Sequence, residues 1–266
     1  MATRDTGWIQ FFAENGQQAF DLTLCAFKIA EDHRVLLPVM LNVDGFHVSH
    51  VIEPVYLVDQ DSVKSFLPPY KHPHALDPDK PVTMGCFAMP NLYTESRKAL
   101  DNAVWKSKEV ILEVWKQWAE LTGRVYQPVE TYKADGMETL LVTIGSFSEN
   151  AMMTIDKMQA EGKRVGLVRL RLWRPFPYEE LIEIVSKAKT VIVFERCVSL
   201  GGFAPVCSEM KSALYSLEKK PQVISVIGGL GGRDVSPVNF EQIINIGIEK
   251  ARSGKSDELI LYGVRE

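Results

Sequence analysis

The sequence has only four cysteines in 266 residues: Cys25, Cys86, Cys197 and Cys207. None stands in a CxxC pair, and no histidine lies at zinc-finger spacing from them. The sequence therefore encodes neither a zinc module nor a disulfide framework. Buried structural thiols in a reducing compartment account for these cysteines. Long apolar runs are also missing. The longest, Val35 to Val43, is broken by Pro38 and Asn42 and falls far short of the roughly 20 residues a membrane span needs. The N-terminus, MATRDTGWIQ, lacks the apolar core of a signal peptide, so the expected location is the cytoplasm. Excess positive charge is absent as well: the formal net charge is −4 and the pI is near 5.8. That balance argues against a nucleic-acid surface spread over the chain.

What remains is an average globular composition, 46% hydrophobic and 24% charged. The length suits one large or two ordinary domains. The opening reads β-α-β: a strand over Ile9 to Ala13, then a helix from Asn15-Gly16 to about Asp32 with Phe20, Leu24, Phe27 and Ala30 at helical spacing. Val35 to Val43 follows as a strand buried on both faces. Ser49 to Pro90 contains seven prolines (Pro54, Pro68, Pro69, Pro73, Pro78, Pro81 and Pro90), which excludes long regular elements. Such a loop is usually functional or an interface. The longest helix is expected from Thr94, as N-cap, to Thr122, with Gly123 as its stop. Its apolar stripe is Leu100, Val104, Ile111, Trp115 and Trp118, and it bridges two lobes. Arg124 to Met137 reads as a linker.

The second lobe alternates strand and helix at short intervals. Strands are expected at Thr139–Ile144, Val165–Leu172, Thr190–Phe194 and Gln222–Ile227. Helices are expected at Ser148–Gln159, Tyr178–Ser186, Gly202–Leu217 and Ser236–Ala251, the last with Ser236 at N-cap and Pro237 at N1. This rhythm predicts a parallel, doubly wound α/β sheet. The domain division is 1–123 and 124–266.

Ligands and interfaces gather at the C-terminal edge of such a sheet, and three segments fall there. In Val168–Pro177, Arg169 and Arg171 share one strand face and Arg174 ends the strand. Arg174, or the pair before it, contacts an anion or carboxylate, or else the arginines form a salt-bridged edge toward a neighbouring subunit. Glu195-Arg196-Cys197 precedes Gly201-Gly202, but every histidine lies in the first lobe and no triad can be assembled around Cys197. The segment Gly228–Asp234 follows a strand and precedes a helix, yet it matches neither the dinucleotide nor the Walker pattern. It reads as a glycine corner with Arg233 and Asp234 as a charged interface pair. In the first lobe, Asp44, His47 and His50 offer either a metal site or two histidines facing solvent or an interface. No carboxylate pair announces acid–base chemistry, and the chain carries no complete catalytic set.

Together these segments carry a family resemblance. RDTGW (Arg4–Trp8), LPVM…DGF…SH…EPV (Leu37–Val55), GLVRLRLWRPFP (Gly166–Pro177), VIVFER…SLGGF (Val191–Phe203) and VIGGLGGRD (Val226–Asp234) resemble the alpha subunit of pyruvate:ferredoxin oxidoreductase, in order and over nearly the whole chain. The resemblance implies a partial thiamine-diphosphate pyrimidine-binding domain followed by a transketolase C-terminal-like parallel α/β domain. It implies a 2-oxoacid chemistry that interconverts pyruvate plus coenzyme A with acetyl-CoA, carbon dioxide and reduced ferredoxin. Thiamine diphosphate with magnesium and the iron–sulfur clusters would be bound mainly by beta, gamma and iron–sulfur delta subunits. Ferredoxin would be met only indirectly, and homodimerisation would occur within the complex. Neither nucleic acid nor membrane is an expected partner.

In the resembled family, residues before RDTGW supply the glutamate that activates the aminopyrimidine, and the threonine and arginine that meet the 2-oxoacid. These have no matching positions here, so the missing part is expected to be truncated or to lie on a separate polypeptide. By the same resemblance, Arg4 and Asp5 lie near the cofactor or anchor its loop. Arg174, Arg233 and Asp234 are interface residues, and no catalytic or metal-ligating residue is assigned. The alternative is a non-catalytic binding or scaffold protein that keeps the fold.

Overall fold

A computed structural model describes residues 1–85, 87–255 and 258–265. Cys86 lies outside the described residues. In chain order, β1 is Ile9–Phe12, α1 Gly16–Glu31, β2 Val39–Asn42, α2 Gln60–Phe66 and α3 Pro90–Thr122. Then follow β3 Val129–Tyr132, β4 Thr139–Ile144, α4 Phe147–Ala160, β5 Val165–Leu170, β6 Leu172–Arg174 and α5 Tyr178–Val185. The chain ends with β7 Thr190–Glu195, α6 Pro205–Leu214, β8 Gln222–Ile227, α7 Pro237–Arg252 and β9 Ile260–Leu261.

The strands form two sheets, a small one in the order β2-β1-β6 and a large one in the order β3-β5-β4-β7-β8-β9. In the large sheet β5, β4, β7, β8 and β9 run parallel, and β3 pairs antiparallel with β5. All residues of β4 and β7 are buried, as a parallel strand with helices on both faces requires. One core packs that sheet against α5 and α6, and a second packs it against α4 and α7. The third joins the small sheet to α1 and the C-terminal half of α3. No helix among the described residues is long and apolar enough to cross a membrane.

Several expectations need correction. Val35 to Val43 is not one fully buried strand: β2 covers only Val39–Asn42, each residue half-buried. The amides of Val35 and Leu36 both donate to Asp32 O in the turn that ends α1, and Leu36 adopts φ +46°, which no strand accommodates. The buried face of α1 is Gln18, Asp21, Leu22, Cys25 and Ile29, whereas Phe27 is exposed. Polar Asp21 faces inward because Arg124 and Tyr126 bond to it. Helix α3 starts at Pro90, not Thr94, since proline at N1 needs no donor. The proline-rich loop contains α2, capped by Asp59 through the amides of Asp61 and Ser62. The supposed linker contains β3, and α6 starts only at Pro205.

The most consequential difference concerns Val165–Leu172. The chain changes sheets at Arg171. Strand β5 belongs to the large sheet, while β6 pairs antiparallel with β1 in the small one. At the junction Arg171 N donates to Pro128 O at 3.0 Å, and Arg171 O accepts from Phe12 N at 2.9 Å. Arg169 and Arg171 are therefore spent inside the chain, not on a neighbouring subunit. Arg169 pairs with Glu14 at 2.7 Å and with Glu130 at 2.5 Å. Arg171, 2% exposed, bonds to Glu130 and to Gln127 O.

Replacing Arg169 with alanine would leave Glu14, 4% exposed, without its cation. Removing one partner of a buried pair typically costs about 3–5 kcal/mol. We expect R169A to lose that much in a urea titration of the full chain. A loss below about 1 kcal/mol, the range of exposed pairs, would show that this pair does not hold the sheets together.

Candidate functional site

The two sheets present their C-terminal edges to each other, the position where open α/β sheets bind ligands. The ends of β1, β2, β4 and β7 border a crevice of about 300 Å³ lined by Phe12, Asn42, Asp44, Ile144, Arg196 and Cys197, with Met1 and Ala2 beside it. Asp44 spans it. Its carboxylate accepts from Ser146 N at 2.8 Å and from Ser146 Oγ at 2.5 Å, and it pairs with Arg196 at 2.7 Å. Gly145 permits this approach: its φ is +79°, and a Cβ there would sit 2.8 Å from Asp44 Oδ2. The Arg196 guanidinium lies 4.7 Å over the Phe147 ring. His47 packs against the other side of the crevice wall, 5.0 Å from Phe147, while His50 stacks on Phe46 and bonds to Ser49. Asp44, His47 and His50 thus do not converge, and no group of three metal-ligating side chains exists among the described residues.

Helix N-termini at such edges attract anions. Here they are already met by the chain's own carboxylates. Glu53 accepts from Gly16 N at 2.5 Å at the start of α1, where Asn15 also caps Gln18 N at 2.9 Å. Asp44 serves α4. Glu195, 1% exposed, accepts from Val206 N and Cys207 N, both at 3.0 Å, in the first turn of α6. A diphosphate would meet a carboxyl group at each of these helix ends, so this donor set does not fit thiamine diphosphate's diphosphate, and among the described residues no group of three metal-ligating side chains is present for its magnesium. Three of the cysteines are free thiols, with Cys25 and Cys207 buried, and they form no metal-binding group. The described residues therefore do not fit an iron–sulfur cluster either.

Burial pushes the Glu195 carboxyl up to about 7, against the pull of the two amides and of Arg4. Burial also raises the Cys197 thiol, which keeps it protonated and poorly nucleophilic. Gly228–Gly232 forms a corner. Gly229, Gly231 and Gly232 have positive φ, and a Cβ on Gly228 or Gly229 would strike Phe194 or Phe147 at 2.8 and 2.7 Å. The following helix closes its own N-terminus through the reciprocal Ser236–Asn239 box. Arg233 donates to Gly263 O, and Asp234 is exposed.

Arg4, Asp5 and Arg174, distant in sequence, meet in a second cleft of about 230 Å³ with Trp8, Arg97 and Asp101. Arg4 pairs with Asp5 at 3.3 Å. Arg174 pairs with Glu209 at 2.7 Å and with Asp5 at 3.5 Å. Arg233 and Asp234 lie elsewhere, after β8. Sequence reasoning looked at Cys197 and missed Glu195 beside it. The available signal was a carboxylate closing the apolar run of β7, where the register turns it inward.

Residues 1–116 match the family model described as "Pyruvate flavodoxin/ferredoxin oxidoreductase, thiamine diP-bdg". Residues 137–240 match "Pyruvate:ferredoxin oxidoreductase core domain II". The chain is 40% identical, over its whole length, to pyruvate synthase subunit PorA of Pyrococcus abyssi and covers 68% of that protein. It is 38% identical to the Thermotoga maritima subunit PorA, again over the whole chain and 68% of the relative. Ketoisovalerate oxidoreductase subunit VorA of Pyrococcus horikoshii is 36% identical over 98% of this chain and 66% of its own length. The chain thus spans about two thirds of the length of these curated relatives. Among solved structures, the 2-oxoglutarate:ferredoxin oxidoreductase from Magnetococcus marinus shares the fold, with a TM-score of 0.55 at 16% identity over 91% of this chain and 42% of that one.

Glu195 carries a pH signature. Its folded value, about 7, lies above the ordinary 4.5, so the folded chain holds a proton that the unfolded chain has released. The resulting stabilisation is present below about pH 4.5 and is lost as pH rises through 7, at most about 3 kcal/mol in all. Unfolding free energies of the wild type and E195Q, measured from pH 4.5 to 8, should diverge by that amount. Parallel curves would refute the assignment.

Proposed function

The chain belongs to the family of pyruvate synthase alpha subunits that includes the PorA proteins, and from that membership we propose that it works as part of the alpha component of a thiamine-diphosphate-dependent 2-oxoacid:ferredoxin oxidoreductase. The reaction is the interconversion of pyruvate plus coenzyme A with acetyl-CoA and carbon dioxide, with ferredoxin taking the electrons. The observation that carries this reading is 40% identity along the entire chain, with both family models matched in order.

In this reading residues 1–123 are the later part of the pyrimidine-binding domain together with the bridging helix, and residues 124–266 are the transketolase C-terminal-like domain. Arg4 and Asp5 lie near the cofactor, in the cleft they share with Arg174. Arg174, Arg233 and Asp234 face neighbouring subunits. The diphosphate, its magnesium and the iron–sulfur clusters are bound mainly by beta, gamma and delta partners; the helix ends that carry Glu53, Asp44 and Glu195 support this for the diphosphate. Homodimerisation takes place within the complex. Free thiols at Cys25, Cys197 and Cys207 suit the reducing cytoplasm.

Dye-linked turnover tests the proposal. The purified chain with thiamine diphosphate, magnesium, pyruvate and coenzyme A should reduce no viologen dye. Co-expression with the remaining subunits should give pyruvate-dependent dye reduction. Turnover by the chain alone would contradict the division of labour, and an assembled complex that ignores every 2-oxoacid would contradict the reaction.

A further inference from the structure

Four charged side chains from three separate segments stand in a line of alternating sign. Glu209, on α6, pairs with Arg174 Nη2 at 2.7 Å. The same Arg174 nitrogen reaches Asp5 Oδ1 at 3.5 Å, and Asp5 Oδ2 meets Arg4 Nε at 3.3 Å. Asp5 is therefore shared between two guanidinium groups at nearly equal distances. The side chains of Arg174 and Glu209 are 15% and 23% exposed, whereas that of Asp5 is 71% exposed. The firm end of the line is Glu209.

Its firmness has a source. Tyr178 OH donates to the second Glu209 oxygen at 3.0 Å. Burial, and then the negative charge of Glu209, raise that phenol, so it keeps the proton it donates. Tyr178 in turn packs on Phe176 and on Trp105 of α3, with ring centroids 4.8 and 5.9 Å apart. Glu195 ties the first turn of α6 to the end of β7. Arg174 is fixed on its other sides: Nη1 donates to Trp173 O at 2.9 Å, and the guanidinium lies 4.5 Å over the Trp173 ring. The backbone bonds of the Arg4–Asp5 turn are long by comparison, 3.1 Å from Arg4 N to Met1 O and 3.3 Å from Thr6 N to Thr3 O. If residue 209 lost its charge, Asp5 would be the carboxylate left to Arg174. The 3.5 Å contact would then close at the expense of the pair with Arg4.

We propose that Glu209 is a positioning residue for the Arg4–Asp5 turn: by holding Arg174 it fixes how Asp5 is divided between Arg174 and Arg4, and so where the Arg4 guanidinium stands in the cleft. Glu209 bonds to Arg174 and Tyr178 and reaches the turn only through Arg174. The consequence for the enzyme rests on the reading above that sets Arg4 and Asp5 near the cofactor.

Millisecond hydrogen exchange of the full chain tests the relay. E209Q should speed exchange of the Arg4 and Thr6 amides about threefold to tenfold, the range spanned by exposed and half-buried charge pairs, and leave the amides of β4 and β7 unchanged. The double variant D5N/E209Q should exchange no faster there than D5N, because both changes break one line of contacts. Unmoved exchange in E209Q, equal acceleration in β4 and β7, or additive effects of D5N and E209Q would each overturn the proposal. In the assembled oxidoreductase, E209Q should raise the half-activating concentration of thiamine diphosphate by a similar factor, with kcat at saturation retained. Faster exchange with unchanged half-activation would overturn the placement of the turn near the cofactor and leave the relay standing. A wild-type complex that turns over no 2-oxoacid would overturn the proposed function alone, since the exchange measurement needs no activity.

Discussion

The ion network around Glu130 is the constraint on which the rest of the structure depends. Two arginines spaced by two residues on one strand point the same way, and here they point into the seam between two sheets. Glu130, from the antiparallel edge strand, takes both guanidinium groups, and Glu14, just past the end of β1, takes Arg169 again. Gln18 closes the cluster by bonding to Glu14 at 3.0 Å. Such a cluster is a costly way to gain stability, because the charges lose their water. The Nε atoms of Arg169 and Arg171 are buried with no hydrogen-bond partner. Its return is geometric. The network fixes where the chain leaves one sheet for the other, so that Leu172 and Arg174 fall opposite Phe11 and Gln10. Apolar residues of the same volume would pack the seam but would leave that register less determined.

Once β6 is locked onto β1, the C-terminal edges of the two sheets must lie side by side, and the crevice between them follows. Its electrostatics are unusual for a doubly wound fold. The helix ends that would normally greet a phosphate are closed from within: Glu53 on α1, Asp44 on α4 and Glu195 on α6. Each carboxylate comes from a different segment, so each also works as a tie between elements. Asp44 brings β2 to α4 and to the loop after β7. An edge used this way is a wall rather than a cradle. On the function proposed above, such a wall would shape space for a ligand whose charged end is held by another polypeptide.

Elements with local instructions were legible in the sequence. Ser236-Pro237 announced α7 at its observed start, Asn15-Gly16 announced α1, and Thr139–Ile144 and Thr190–Phe194 were read as strands of a parallel sheet. What was illegible depends on distant partners. Nothing within Val129–Tyr132 marks it as a strand until Arg169 stands opposite Glu130. Leu172–Arg174 reads as a continuation of β5 because the reason for the break, β1, lies some 160 residues earlier. Nothing near Asp21 in the sequence marks it, yet Arg124 and Tyr126, 103 and 105 residues away, make it part of the buried face of α1. The site followed the same rule. The resemblance located the segments, but the pairings of Asp44 with Ser146 and of Glu195 with α6 could not be read from spacing.

Helix α3 shows how far local physics extends. It has 33 residues, about 50 Å at the usual rise, and propensity alone allows it to continue that far. Burial does not accompany it: the buried positions begin at Ser107, and the turns before it stand almost wholly in solvent. A helix of this length holds together in water chiefly through packing of one face, and its first half packs only through Leu100 and Val104 beside Gly7 and Trp8 and through Trp105 on Tyr178. The packed half therefore acts as a rigid root, with Lys108 marking where it leaves the core, and the projecting half inherits order without inheriting cover. The same core that orders the crevice thus also orders the projecting turns of α3, and the two properties share one cause in the packing of Trp115 and Trp118 against the small sheet.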